Sequence, residues 1–199
     1  MYRKFGKRAL DILLSLCALL ILWPLLLLVA LWIKLDSPGP VLFKQNRVGK
    51  GKRLFVMYKF RSMRTDAPPE MPTHLLEDPE LCITRCGKFL RKSSLDELPQ
   101  LWNILIGDMS IVGPRPALWN QRDLIEARAQ GLANEVRPGL TGWAQINGRD
   151  ELPITIKAEF DCEYVRRMSF RFDCKCVFGT IGKVLRRDGV VEGQQKESV

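Results

Sequence analysis

The residues best suited to chemistry are two adjacent carboxylates, Asp96 and Glu97, in the stretch RKSSLDELPQLWNILIGDMSIVGPRP. Arg91 lies just upstream of them, and Arg115 and Arg149 each follow a glycine closely in a short turn sequence, GPRP and NGR. Carboxylates bind divalent cations and guanidinium groups bind phosphate oxygens, so this set indicates chemistry on a phosphate. The alternative is structural, because an acidic pair at the start of a helix commonly only caps it.

The local pattern predicts where that helix begins. Proline is tolerated in a first turn, which favours Asp96 as the N-cap residue with Pro99 at the third helical position. The other arrangement has Ser94 as the N-cap and Glu97 completing a capping box. In both, the helix dipole stabilises the two carboxylates as anions.

Several common catalytic sites are excluded by what the sequence offers. The single histidine, His74, lies in the proline-rich stretch APPEMPTH, and no pair of the six cysteines has zinc-ribbon spacing. A zinc site and histidine-based acid–base or nucleophilic catalysis are therefore not expected. The stretch RVGKGKR lacks the spacing and the Ser/Thr of a phosphate-binding P-loop. Carboxylates, a metal ion or both must carry the chemistry.

Residues 12–33 form an uncharged apolar run of 22 residues, which as a helix would be about 33 Å long and could cross a bilayer. Pro24 lies in its middle, where proline removes a helical hydrogen bond. Both flanks are basic, and positive residues favour the cytoplasmic side. We therefore expect a helix broken at Pro24 that enters and leaves on one face; a kinked spanning helix is the alternative.

The positive charge is confined to the N-terminal third of the chain. Residues 1–64 hold 13 Lys and Arg against two acids, whereas the rest holds 18 against 20, within a net charge of +9. A basic collar around an apolar segment is typical of contact with anionic lipid, so membrane lipid is the expected partner and nucleic acid is not.

After the SPGP turn, VLFKQNRVGKGKRLFVMYKF predicts two short strands joined as a hairpin. Basic residues spaced three to four apart predict a helix near 83–92, and an apolar stripe at helical spacing predicts one over 98–106. The stretch 119–133 is also expected to be helical, and two more helices close the chain. The last helix is amphipathic, and could pack on the core or lie at a lipid interface. The expected fold is α+β and mainly helical, with a re-entrant membrane helix over 1–36 and a catalytic domain over 37–199.

Four stretches occur in order after the hydrophobic N-terminus: KLDSPGPVLFKQNRVG, MYKFRSM, RKSSLDELPQLWNILIGDMSIVGPRP and RPGLTGWAQINGR. Together they resemble the bacterial sugar transferases, which are monotopic phosphoglycosyl transferases. Larger relatives carry a further N-terminal domain, so the chain is expected to be the minimal catalytic form. The family's membrane helix commonly breaks at Ser-Pro, and here the pair is Trp23-Pro24.

The resemblance implies transfer of a sugar-1-phosphate from a UDP-sugar to a polyprenyl phosphate, with release of UMP. This would be the first membrane step of glycoconjugate synthesis, on the cytoplasmic face of the bacterial inner membrane. It implies Asp96 as a covalent nucleophile and Glu97 as a base, and Mg²⁺ is expected as the cofactor with Asp96 as its ligand. The implied substrate-binding residues are Lys59, Arg91, Arg115, Arg149 and Asp173.

Two other functions fit the same composition. A lipid-anchored scaffold with a basic collar would bind acidic partners and release no UMP from a UDP-sugar. A membrane-bound nucleic-acid binder would show affinity for oligonucleotides that falls steeply with salt. The near-neutral C-terminal two thirds argues against the second.

Overall fold

The computed structural model describes residues 2–67, 79–148 and 152–186 of the chain. A π-helical turn, Tyr2–Gly6, leads into the first helix, and the described elements follow in the order α1 Lys7–Asp36, β1 Leu42–Val48, β2 Leu54–Phe60, α2 Pro79–Cys82, α3 Arg85–Ser93, α4 Gln100–Ile106, β3 Ser110–Val112, α5 Arg122–Ala129, β4 Gly139–Thr141, α6 Trp143–Ile146, α7 Ile154–Arg167 and α8 Phe170–Arg186. The mainly helical α+β class is confirmed.

Helix α1 is one continuous element that includes Pro24, so the predicted break is not confirmed. It is long and apolar enough to cross a membrane. One face packs on the rest of the chain along nearly its whole length, through Ala18, Leu19, Leu22, Leu25, Leu26, Val29 and Ile33. The opposite face exposes apolar side chains to the surroundings, among them Leu20, Ile21, Leu28 and Leu31.

Both ends of α1 are fastened to the same folded body. Near its start, the carboxylate of Asp11 accepts hydrogen bonds from Ser110 Oγ at 3.1 Å and from the Ile111 amide at 3.0 Å. At its end, Asp36 accepts one from the Cys86 amide at 3.2 Å. Since Asp11 is buried, these hydrogen bonds satisfy its carboxylate and fix the start of α1 to the domain.

The predicted hairpin is confirmed. Strands β1 and β2 pair antiparallel from Leu42 opposite Phe60 to Val48 opposite Leu54. The short helix α4 packs on β2 through buried Met57, Leu101 and Ile104, and a buried polar side chain also joins the two elements. Asn103 accepts a hydrogen bond from the Tyr58 amide and donates one to the Val56 carbonyl oxygen, at 3.0 and 2.8 Å.

A second, parallel pair of strands joins β3 to β4. Gly113 follows β3 directly, and its amide donates to the Thr141 carbonyl oxygen at 2.8 Å. The space beside Gly113 is closed by backbone, since a Cβ there would lie 2.5 Å from the Arg137 carbonyl oxygen. The glycine of the GPRP turn is therefore required by a close backbone approach.

Candidate active site

Asp96 and Glu97 lie in a 3₁₀ turn, Leu95–Glu97, between α3 and α4. Helix α4 begins later, at Gln100, with Pro99 in the capping position. The prediction that Asp96 caps the helix is therefore wrong. Ser94 does precede the 3₁₀ turn, but in a left-handed conformation and without a side-chain capping bond. The two carboxylates thus project from a tight connection, and their side chains are available for other contacts.

Glu97 is held by two cations from different parts of the chain. Its Oε1 atom accepts a hydrogen bond from Lys59 Nζ of strand β2 at 2.8 Å and from Arg115 Nη2 of the GPRP turn at 3.0 Å. Burial alone would raise the pKa of Glu97, but the charges of Arg115 and Lys59 outweigh it and hold that pKa well below its ordinary value. Glu97 is therefore a firmly ionised anchor in this state.

Asp96 is shifted in the opposite direction. It is buried, and burial raises its pKa above the ordinary value despite the nearby charges of Lys59, Arg91 and Arg115. The adjacent Glu97 anion raises it further. Among the described residues, Glu97 forms ion pairs and Asp96 does not. Adjacent carboxylates with opposite shifts are typical of sites in which the two groups have separate tasks.

The predicted site residues fall into three groups. Lys59 and Arg115 contact the dyad directly, and Arg91, in the last turn of α3, acts on the charge of Asp96. Arg149 lies outside the described residues. Asp173 belongs to a separate network, in which it accepts hydrogen bonds from Lys7 Nζ at 2.6 Å and from Tyr164 Oη at 2.8 Å.

Four further residues support the dyad: Arg8, Asn103, Arg128 and Asp161. Arg128 of α5 donates to the Arg115 carbonyl oxygen at 3.0 Å, and forms a buried ion pair with Asp161 of α7 at 2.6 Å. Arg8 of α1 donates hydrogen bonds to the carbonyl oxygens of Ile104 and Leu105 at the end of α4. These bonds join α1 to α4, the helix that follows the dyad. Among these residues, Asn103 is the one that the sequence could have identified, because it is a polar residue inside the apolar stripe LPQLWNILI.

The donor set can accept Mg²⁺ only together with a substrate. No cluster of three or more metal-ligating side chains occurs within residues 2–67, 79–148 and 152–186. Glu97 already binds two cations, whereas Asp96 makes no ion pair with a described residue and is the carboxylate of the dyad that could ligate a metal. Mg²⁺ commonly binds through one or two carboxylates plus substrate phosphates and water, and this arrangement fits that pattern.

Comparison with known proteins assigns the chain to a family. The model of the family described as bacterial sugar transferase matches residues 2–187. The chain belongs to this family. All the described site residues, from Lys59 to Asp173, fall within the matched part of this bacterial sugar transferase.

Three relatives illustrate the range of related proteins. The UDP-glucose:undecaprenyl-phosphate glucose-1-phosphate transferase of Escherichia coli K12 is 45% identical over 185 residues, which are 89% of this sugar transferase and 39% of the relative. The UDP-N-acetylgalactosamine-undecaprenyl-phosphate N-acetylgalactosaminephosphotransferase of Aeromonas hydrophila is 42% identical, covering 91% of the chain and 44% of the relative. The chain thus spans about two fifths of the length of these two proteins.

The third relative has a similar length to the chain. The exopolysaccharide production protein PSS of Rhizobium leguminosarum is 45% identical over 199 residues, 91% of this sugar transferase and 96% of the relative. Relatives named for different sugars are thus about equally similar to the chain.

Proposed function

We propose that this protein transfers a sugar-1-phosphate from a UDP-sugar to a polyprenyl phosphate, with Asp96 as the nucleophile. The observation that carries the proposal is the division of the dyad. Glu97 is fixed by Lys59 and Arg115, whereas Asp96 makes no ion pair with a described residue and is surrounded by cations that suit phosphate oxygens. The names of the relatives, which include UDP-sugars and undecaprenyl phosphate, support the substrate classes.

The transfer proceeds in two displacements at the same phosphorus. A carboxylate oxygen of Asp96 bonds to the phosphorus that carries the sugar, and the bond from that phosphorus to the uridine-bearing phosphate breaks, so UMP leaves with the electron pair. An oxygen of the polyprenyl phosphate then bonds to that phosphorus, and the bond to Asp96 breaks. Two steps allow a soluble and a lipid substrate to use one site in turn.

The surrounding cations orient and neutralise the phosphates. Lys59, Arg91 and Arg115 bind phosphate oxygens, and Arg149 is proposed to do the same. Mg²⁺ bound to Asp96 and to the substrate would neutralise the charge that develops on the phosphate oxygens. Glu97 can act as a base for the lipid phosphate only after Lys59 or Arg115 has shifted from it to the substrate, because both cations lower its proton affinity.

We further propose that α1 is re-entrant and that residues 37–199 form a catalytic domain on the cytoplasmic face of the bacterial inner membrane. Contacts of Asp11 and Asp36 with one folded body support this, since a helix crossing the bilayer would separate its ends by the membrane. Exposed apolar residues on α4 and α8, including Trp102, Ile106 and Phe178, support the interfacial position of these helices. The reaction would begin a bacterial glycoconjugate such as an exopolysaccharide.

The test is the intact mass of the protein after incubation with Mg²⁺ and UDP-glucose or UDP-N-acetylgalactosamine, without a lipid acceptor. Wild type should gain the mass of a phosphosugar and release one equivalent of UMP. Asp96→Asn should gain nothing while staying folded, because the amide keeps the size of the side chain but removes the attacking anion. The exposed Asp66→Asn is the matched control and should react as wild type does. Normal transfer by Asp96→Asn would refute the assignment, and a wild type without UMP release would favour the scaffold.

A further inference from the structure

A cavity of about 230 Å³ adjoins the dyad. Glu97 and Ser94 line it, as do β3, β4 and α6, and α8 contributes Val177, Thr180 and Ile181. These three α8 positions are spaced three and four residues apart, so they lie on one helix face. The cavity therefore extends from the turn that carries the dyad to α8.

Most of the surface that faces the cavity is apolar and comes from six side chains: Leu98, Ile111, Leu140, Ile146, Val177 and Ile181. Six polar residues also line it: Ser94, Glu97, Thr141, Gln145, Thr180 and Lys183. Four of these are hydrogen-bonded to protein, among them Glu97, which binds Lys59 and Arg115. The hydroxyls of Thr141 and Thr180 are hydrogen-bonded to each other, and Gln145 Nε2 donates to the Leu140 carbonyl oxygen at 2.9 Å. The side-chain oxygen of Gln145 is enclosed by protein and has no hydrogen-bond partner among the described residues. A ligand rich in hydroxyl groups would find most of these polar groups already hydrogen-bonded to protein and would otherwise meet apolar side chains.

The same helix face leads to an apolar surface. Ile181 lines the cavity yet is 51% exposed, and Phe178, one turn earlier on α8, is 71% exposed. A ligand in the cavity can therefore run from the dyad onto an exposed apolar helix surface. Its chemistry must be a phosphate at one end, to meet the dyad, and a hydrocarbon at the other.

We propose that this cavity holds the first isoprene units of the polyprenyl phosphate acceptor, an inference that rests on the proposed function. The sugar of the UDP-sugar is the competing occupant, because it is bonded to the same phosphorus. Its hydroxyls would lose hydrogen bonds to water and face apolar side chains, which is unfavourable. A hydrocarbon loses no hydrogen bonds and gains from removal of its surface from water.

The two occupants are distinguished by the step that they affect. The first step, formation of the phosphosugar on Asp96, needs the UDP-sugar but no lipid. The second step, its discharge, needs the lipid. Substitutions of Ile181 should therefore leave the first step unchanged and slow the second. Ile181→Asn makes the wall polar, Ile181→Trp fills the cavity, and Ile181→Leu restores an apolar side chain of the same size.

Both steps are measured on detergent-solubilised protein, with UDP-glucose or UDP-N-acetylgalactosamine and Mg²⁺ for the first and farnesyl or undecaprenyl phosphate for the second. Ile181→Asn should discharge the phosphosugar about three- to tenfold more slowly, in line with the loss of one half-buried aliphatic contact. Ile181→Trp should also be slow and Ile181→Leu should match wild type. Ile156→Asn is the matched control, since it makes the same substitution at an exposed position of α7 that does not line the cavity.

Three results would overturn the proposal: equal slowing by Ile156→Asn, equal slowing of phosphosugar formation by Ile181→Asn, or unchanged discharge in Ile181→Asn and Ile181→Trp. The second would assign the cavity to the sugar. Thermal unfolding in detergent reports separately that each variant is folded. If wild type forms no phosphosugar with either donor, the proposed function itself fails, and this outcome is distinct from the other three.

Discussion

Lys59 Nζ lies 2.8 Å from Oε1 of Glu97, and this hydrogen bond joins strand β2 to the 3₁₀ turn that carries the dyad. Arg115 binds the same oxygen at 3.0 Å. Two cations on one oxygen keep Glu97 ionised, while its neighbour Asp96 is buried without an ion pair in the described part of the chain. Side-by-side carboxylates thus differ in proton affinity because of their partners.

This difference predicts opposite pH shifts in two variants. Phosphosugar formation needs Asp96 as an anion, and its pKa is raised from the ordinary 3.8. The single-turnover rate should therefore fall as the pH falls through that raised value. Lys59→Gln removes a charge that lowers the pKa of Asp96, so the acid limb should move to higher pH. Glu97→Gln removes a charge that raises it, so the limb should move to lower pH.

The measurement is the rate of UMP release in a single turnover over a pH series at fixed Mg²⁺. Raising Mg²⁺ should move the acid limb of wild type to lower pH, because a cation on Asp96 favours its ionised form. Asp66→Asn should leave the limb in place. Shifts in the same direction for Lys59→Gln and Glu97→Gln would contradict the assignment of the limb to Asp96.

The sequence predicted those features that local pattern determines. The hairpin over Leu42–Phe60 follows from two apolar strands around the GKGK loop, and the resemblance identified the two cations that contact Glu97. The capping of α4 was predicted wrongly, because Ser94 adopts a left-handed conformation that ends α3 and places the dyad in its own turn. No local pattern signals such a turn.

Contacts between residues that are far apart in the chain could not be predicted from the sequence. Strands β3 and β4 are three residues each and pair across 29 positions, and neither has the length from which alternation can be recognised. The partner of Arg128, Asp161, lies 33 residues away on another helix. The Asp173 network joins Tyr2 to the far end of the chain, and charge counts could not predict it.

Asp161 is predicted to stabilise the fold and to position Arg115 through Arg128. The pair is almost fully buried, so Asp161→Asn leaves the Arg128 charge without its partner and should destabilise the protein by about 3–5 kcal/mol. Arg128 also donates to the Arg115 carbonyl oxygen, so the rate of phosphosugar formation should fall as well. Both are measured, by thermal unfolding in detergent and by UMP release below the transition. The exposed pair Arg64–Asp66 is the control, and Asp66→Asn should change neither.

Asp173 is predicted to hold the N-terminal end of α1 in place. Asp173→Asn keeps an acceptor for Tyr164 but removes the charge that pairs with Lys7 at 2.6 Å. The variant should lose about 1–3 kcal/mol of stability, as expected for a charged hydrogen bond, with an unchanged KM for the UDP-sugar. A raised KM at wild-type stability would instead place Asp173 in substrate binding, the role that the family resemblance implies. Lys7→Gln is the matched control, because it breaks the same pair from α1.

The last prediction is that both flanks of α1 face the cytoplasm. A straight helix of 30 residues would be about 45 Å long, so a spanning α1 would carry Asp11 and Asp36 to opposite sides of the bilayer. Both residues contact one folded body, and both flanks are basic, which favours a re-entrant segment. In intact cells, with the six native cysteines replaced by serine, Tyr2→Cys and Lys50→Cys should both resist a membrane-impermeant thiol reagent and should both react once the membrane is permeabilised. Pro24→Leu should increase labelling of one flank by favouring a straight helix, whereas Pro153→Leu, which lies outside α1, should not. Labelling of only one flank in the background with Pro24 intact would mean that the helix spans the membrane.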